Sequence, residues 1–280
     1  MFQGCSNLAS ISIPNNVTMI GERAFSYCSS LESLFIPKSV NSIGKEIVSY
    51  CSNLSNIMVE SDNTTYDSRE NCNAIIEKNT NKLIVGCKSS IIPYSVTSIG
   101  ANAFYGCDGL KNIDIPNSIK TISSYAFYQC EDLSSLNIPS SVTSIEYYTF
   151  GRCKNLTTVT IPNSVTFINC YAFYRCKNLK DIYCYPEIVP LTYPEVFQNV
   201  EIQKVNLHVP EVSIELYKNA GPWKNFGNIV AIETTSIEKI NENVDINASY
   251  NLNGMRLSNP QKGINVLRLT NGKTKKVFIK

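Results

Sequence analysis

Cys153-Lys154-Asn155-Leu156-Thr157-Thr158-Val159-Thr160-Ile161-Pro162-Asn163-Ser164-Val165-Thr166-Phe167-Ile168-Asn169-Cys170-Tyr171-Ala172-Phe173-Tyr174-Arg175-Cys176 is one complete period of this chain. Cys107, Cys130, Cys153 and Cys176 are evenly spaced at this period, and Cys5, Cys28 and Cys51 keep the same interval before an interruption. Phe104, Phe127, Phe150 and Phe173 follow it too, as do Leu110, Leu133, Leu156 and Leu179, and Pro116, Pro139 and Pro162. A period of roughly 20 to 29 residues with Leu and Ile at set offsets predicts a leucine-rich repeat solenoid. One such unit cannot bury its apolar residues alone, so the turns must stack, and a shared core is expected along the array.

Each column has an expected place. Val159-Thr160-Ile161 alternates apolar and polar, the period of a half-buried strand, so Val159 and Ile161 point inward and Thr160 outward. Pro162 ends that strand because it has no N–H to give to a parallel ladder. Val165 to Ile168 reads as a second short extended run. Ala172-Phe173 then suits one helical or 3₁₀ turn that lays the ring over the core. The fold class is therefore a leucine-rich repeat solenoid of short parallel strands and helical or 3₁₀ turns, with a β-hairpin insertion and a small antiparallel tail.

The unit Ile-Pro-x-x-Val-x-x-Ile…Ala-Phe-x-x-Cys, at residues 138–153 and 161–176, resembles the BspA-like leucine-rich repeat proteins, a surface-protein family of anaerobic bacteria. The resemblance covers residues 1–185. It implies a non-catalytic, adhesin-like binding surface, a cell-surface or secreted location, and a protein or glycan partner on a host or neighbouring cell or its matrix.

Composition limits the alternatives. A formal net charge of +2 over 280 residues offers no broad electrostatic case for nucleic acid or an anionic membrane, and no apolar run approaches the ~18 residues of a membrane span. There is a single histidine, His208. The cysteine spacing is not that of a zinc site, and no acidic cluster marks calcium, so neither metal nor cofactor is expected. Catalytic residues are likewise not expected. The column Cys28, Cys107, Cys130, Cys153 and Cys176 is expected to be buried and reduced, since side chains on stacked turns run parallel at ~4.8 Å, wider than a disulfide's Cβ spacing. Cys170 and Cys184 lie off the column without an assigned partner.

The interruption, residues 60–92, contains two apolar runs, 74–78 and 81–85, around Asn79-Thr80. Read as a hairpin with a two-residue loop, this sets Glu77 opposite Lys82 and Cys72 opposite Cys87, making Cys72 and Cys87 a possible disulfide. The segment Tyr66 to Ile76 also resembles inserts of BspA-like proteins. A structural spacer between repeat blocks is the favoured reading and a ligand-binding loop the other.

Beyond Cys176 prolines break the period. Residues 186–232 are expected to cap the solenoid, with a short helix over 213–220 and Trp223 as an anchor; residues 209–226 resemble the closing segment of BspA-like arrays. At the front, Met1 to Cys5 begins in mid-repeat, so further residues are expected upstream, including any signal peptide. Residues 233–249 suit a linker. Residues 250–280 read as three short strands, around Tyr250–Leu257, Gly263–Leu269 and Lys276–Lys280, with Asn271-Gly272 as a hairpin turn. The tail resembles the C-terminal sorting domain of type IX secretion substrates, which implies the secretion machinery as a partner and an address outside the cell.

Outward strand positions are the candidate ligand-binding residues: Phe35, Met58, Asp114, Asn137, Thr160 and Tyr183, in a column that begins at Ser12. A plain stalk, the alternative to a binding module, would fill such positions with small polar residues. Phe35, Met58 and Tyr183 do not, and exposed apolar clusters often mark interaction sites.

Overall fold

The structure is a computed structural model that describes residues 2–232 and, in the tail, 246–250, 256–257, 263–269 and 274–279. The chain divides into two compact units, Met1–Ala231 and Ile232–Lys280.

The first unit is the solenoid. Its first strand column holds Ser33–Ile36 paired with Asn56–Val59, and then a five-stranded parallel sheet of Ser135–Asn137, Thr158–Ile161, Asp181–Cys184, Asn206–Val209 and Asn228–Ala231. A second column of two-residue strands carries the inward isoleucines Ile20, Ile43, Ile99, Ile122, Ile145 and Ile168. As the alternation requires, Val159 and Ile161 are fully buried and Thr160 faces outward at half-exposure.

The turn segments are short 3₁₀-type turns, as expected, rather than continuous helices. Bonds from residue i+3 to i follow one another, as in Ala172 N–H to Asn169 O and Cys176 N–H to Phe173 O, and two residues in each repeat interrupt them in the left-handed region. Tyr148 (φ 53°) and Arg152 (φ 60°) recur one turn later as Tyr171 (φ 61°) and Arg175 (φ 55°). This alternation points backbone N–H groups at the next turn, so that Phe127 N–H donates to Thr149 O and Phe150 N–H to Ala172 O. Inside, Phe104, Phe127, Phe150 and Phe173 stack with centroids 4.9, 5.6 and 5.8 Å apart.

The core is not continuous along the array. It divides into two clusters, and the hairpin of Ala74–Glu77 and Lys82–Gly86 stands between them. Ile75, Val85 and Cys87 face the N-terminal cluster, whereas Cys72, Ala74, Ile76 and Leu83 face the C-terminal one. The insertion is thus a buried two-faced partition. Its second strand enters the solenoid directly, with Lys82 and Leu83 beside Ser98 and Ile99 in parallel. Gly86 is required there because a Cβ at that position would run into the Phe104 ring, the first of the stacked column.

Glu77 does oppose Lys82, as the two-residue loop predicts. The expected facing of Cys72 and Cys87 fails, because the register shifts between Ile75 and Ile76, which pair with Val85 and Leu83 and leave Ile84 over. An extra residue moves everything beyond it by one position, and a one-residue slip turns a side chain to the other face. Both thiols are free and buried, Cys72 donating to Ala74 O at 3.6 Å and Cys87 to Asn73 O at 3.3 Å.

In the cysteine column, Cys51, Cys130, Cys153 and Cys176 are buried, free, and donate S–H to the carbonyls of Phe25, Phe104, Phe127 and Phe150 on the preceding turn, at 3.1–3.2 Å. Burial pushes the Cys51 and Cys176 thiols up to about 12. Cys107 departs from the expectation and is only partly buried. It lies at the join, where Gly86 of the hairpin and Tyr50 of the preceding repeat both bond to its turn, and among the described residues it has no carbonyl partner of this kind.

The strand ladder runs past residue 185 into the segment read as a cap, since Asn206–Val209 and Asn228–Ala231 extend it by two turns and Phe197 stacks on Phe173 at 5.6 Å. The period lengthens there, which hid the continuation. The terminal layer is aromatic. The helix Ile214–Asn219 brings fully buried Tyr217 edge-on to fully buried Trp223, and Phe226 packs on Trp223. Cys184 lies in this layer with its thiol 3.3 Å from the Tyr217 hydroxyl, and Cys170 is half-exposed beside Asn169.

The second unit is a four-stranded antiparallel sheet in the order Arg256–Leu257, Ile246–Tyr250, Gly263–Leu269, Thr274–Ile279. Residues 246–249, expected to belong to a linker, are therefore strand; the alternation Ile246, Ala248, Tyr250 was masked by its polar neighbours. Residues 233–245 and the Asn271-Gly272 turn lie outside the described residues.

Candidate functional site

Phe35 and Met58 are directly opposed on the paired strands Ser33–Ile36 and Asn56–Val59, with Leu34, Ile36 and Ile57 turned into the core. The outward pair stays 45% and 48% exposed, a large apolar surface for two adjacent side chains. It floors one side of a groove of about 580 Å³ whose other lining includes Asn56, Glu60, Ser68, Asn71 and Asn73. All of these but Asn56 come from the insertion, so the partition that splits the core also walls the groove.

The wall is held stiffly. Ser68 accepts a hydrogen bond from Val59 N–H at 3.0 Å, fastening the insertion to the strand edge. Buried Asn63 donates to Pro37 O and Val40 O and accepts from the Thr65 and Tyr66 N–H groups, so both ends of its amide are satisfied. Arg69 forks onto Asp67 at 2.9 and 2.7 Å and reaches Asn81 at 2.9 Å. Asn71 and Asn73 take left-handed φ values of 51° and 49°, which asparagine tolerates better than most residues.

The other predicted positions form a separate row. Asn137, Thr160 and Tyr183 are register partners on consecutive strands, and His208 and Val230 continue the row. Asp114 is exposed, but its stretch, Leu110 to Ile115, forms no ladder strand. The structure does not bring Phe35 and Met58 into one sheet with this row. His208 went unassigned in the sequence, although Asn206-Leu207-His208-Val209 has the same alternation as the earlier strands. Its ring stacks on Tyr183 at 4.3 Å, and Nε2 lies 3.0 Å from Asp181 Oδ1. Hydrogen bonds from His208, and then from Asn206, hold the Asp181 carboxyl below its ordinary value. The hydrogen bond and the ring stack thus tie the two neighbouring strands of the row together. Among the described residues no cluster of His, Cys, Asp or Glu could hold a metal ion, and no helix is long and apolar enough to cross a membrane.

Stacked turns of this form, with short parallel strands along one side, define a leucine-rich repeat protein. Six copies of the BspA type leucine rich repeat region match residues 1–83 and 74–203, and the chain belongs to that family of generally non-catalytic repeat proteins. Among curated proteins none matches it. Solved structures with the same fold include a leucine rich cell surface protein of Faecalibacterium prausnitzii (26% identity, TM-score 0.57, 84% of this chain and 57% of that one). Others are a leucine-rich repeat protein of Eubacterium ventriosum (24%, 0.57, 78% and 62%) and the pneumococcal vaccine antigen PcpA (20%, 0.54, 78% and 60%). The chain thus spans less than two thirds of each of these proteins.

Proposed function

We propose that this protein is a non-catalytic binding module of a bacterial surface or of its surroundings, which takes a protein or glycan partner in the groove between Phe35, Met58 and the insertion. One observation carries the reading: two large apolar side chains stay exposed side by side at the foot of a stiff polar wall, where a passive stalk needs neither. Such a floor supplies the desolvated anchors that dominate many interfaces, and the amides of Asn56, Asn71 and Asn73 supply the directional contacts around them. The similarity to a protein described as a cell surface protein supports the location.

The test is a binding screen of the purified chain against matrix proteins and glycans, followed by the double change Phe35→Ala and Met58→Ala. Truncating a good anchor costs about 2 kcal/mol or more. Affinity for a verified partner should therefore fall at least tenfold while the thermal unfolding midpoint holds. Unchanged affinity would remove this groove from consideration. Asp114, Asn137 and Thr160, small and polar at outward positions, support a second reading in which the C-terminal block is a spacer that extends the binding block.

The domain scheme proposed with this reading is a repeat array over 1–185 with its insertion at 60–92, a terminal layer over 186–232 into which the strand ladder continues, a connecting segment, and a tail. The tail's strands and its resemblance to type IX sorting domains support a secretion address. A reporter carrying residues 233–280 should reach the surface of a bacterium that has that machinery, and retention inside the cell rejects the role.

A further inference from the structure

The side of the solenoid formed by the turn segments carries a feature that the groove does not use. Tyr125, Tyr148 and Tyr171 stack in register, at 5.1 and 4.8 Å, and Tyr128 and Tyr174 meet Tyr148 edge-on at 5.5 and 5.4 Å. Two arginines lie over this row. The Arg152 guanidinium is 5.9 Å from the Tyr128 ring and 6.0 Å from Tyr174, and that of Arg175 is 5.2 Å from Tyr174. Both therefore share one tyrosine, one turn apart.

Neither arginine has a salt-bridge partner among the described residues, and the Arg152 Nε is enclosed without any hydrogen-bond acceptor. Burial raises the Tyr128 hydroxyl above its ordinary value, and the nearby Arg152 guanidinium, with Arg175 a smaller contributor, acts against that rise. Like charges gathered on an aromatic surface with no counter-ion leave guanidinium forks open to an anion. Arg152 and Arg175, like Tyr148 and Tyr171, also occupy left-handed positions where glycine or asparagine is cheaper.

We propose that this row is a binding surface for an acidic polysaccharide, its carboxylate or sulfate groups seated on Arg152 and Arg175. The choice of polymer follows from the geometry. Rungs repeat at ~4.8 Å, comparable with the length of one sugar residue, so a linear polymer along the solenoid meets an equivalent rung at each unit. The Tyr125, Tyr148 and Tyr171 faces are turned toward one another, which leaves ring edges rather than ring faces for a ligand. A phenol both donates and accepts, as sugar hydroxyls do. An extended acidic peptide would find no strand edge here to pair its backbone.

The experiment titrates the whole chain with polygalacturonate, dextran sulfate, neutral dextran and polyglutamate, using wild type, the double variant Arg152→Asn and Arg175→Asn, and the double variant Arg152→Lys and Arg175→Lys. Asparagine tolerates the left-handed backbone, so the first variant keeps the fold, which a thermal melt checks. Binding to at least one acidic polysaccharide is expected, with little to dextran or polyglutamate. The asparagine variant should lose roughly tenfold in affinity per arginine, and the lysine variant, which keeps charge but not the fork, should fall between. The polygalacturonate and dextran sulfate arms separate carboxylate from sulfate. The change Phe35→Ala with Met58→Ala should leave this binding intact, which separates it from the groove. Equal binding by wild type and the asparagine variant, equally tight polyglutamate, or no acidic polysaccharide bound would each overturn the proposal.

Discussion

The insertion treats the two sides of the solenoid differently. On the strand side it interrupts the array, leaving a two-stranded sheet before it and a five-stranded one after it. On the turn side the array runs straight across: Tyr50 N–H donates to Gly106 O, and the Tyr50 hydroxyl donates to Gln129 Oε1 at 2.6 Å. Tyr27, Tyr50 and Tyr105 stay in contact over the same join, with centroids 4.5 and 6.0 Å apart. Thirty or so residues can enter a repeat array without breaking it when they supply two apolar faces for the exposed core ends and leave one edge of the stack to close directly. The extra chain is then free to build a wall beside the strands.

This contrast predicts where the array is weakest. Phe150 is stacked on both sides by like rings inside a continuous cluster, so Phe150→Ala should cost about 3–5 kcal/mol in a denaturant titration, the usual range for a buried ring. Because neighbouring turns depend on one another, the loss should lower the transition of the whole C-terminal block. A smaller loss confined to a few amides in hydrogen exchange would mean that the rings are not coupled along the stack.

At the join the sensitive atom is an absent one. Gly86→Ala puts a methyl against Phe104, which cannot retreat because Phe127 stacks behind it at 4.9 Å. Overpacking of this kind costs about 1–3 kcal/mol. Its expected signature is unlike that of Phe150→Ala: exchange protection should fall at the hairpin and in the first turns of the C-terminal block, while the turn-side bonds of Tyr50 persist. Uniform loss across both blocks would show that the two cores unfold as one unit and that the partition is not an energetic boundary.

The period, the inward columns and the terminal Trp223 were all legible in the sequence, because a repeat writes the same physical demand several times at one spacing. What escaped were single events. One surplus residue, Ile84, separates Cys72 from Cys87, and nothing in 74–88 marks which strand carries the bulge. Lengthening of the period after Tyr183 concealed His208 until its alternation was matched to a strand. The groove was half legible: Phe35 and Met58 stood out as apolar residues at outward positions, but Ser68, Asn71 and Asn73 reach it through tertiary docking of the insertion. The tyrosine row was present at the repeat spacing in Tyr-Ala-Phe-Tyr, residues 125–128 and 171–174. It passed as packing because the phenylalanine between the tyrosines is the core residue.

The strand side also carries the smallest predicted effect, at the end of the array far from the insertion. Asp181 accepts from His208 and Asn206, and its carboxyl titrates below its ordinary value of 3.8. A carboxyl depressed in the folded state binds its proton more weakly there than in the unfolded chain. Its contribution is therefore fully present above the unfolded value and disappears as pH falls through the folded one. The group is partly solvated, so the effect should amount to about a few tenths of a kcal/mol. Asp181→Asn keeps the size of the side chain and an acceptor oxygen but removes the charge. Its unfolding midpoint should accordingly sit slightly below wild type at neutral pH, and the two should converge in acid below the carboxylate range. A gap that persists unchanged into acid would assign the loss to packing around Tyr183 and His208 rather than to the ionised carboxylate.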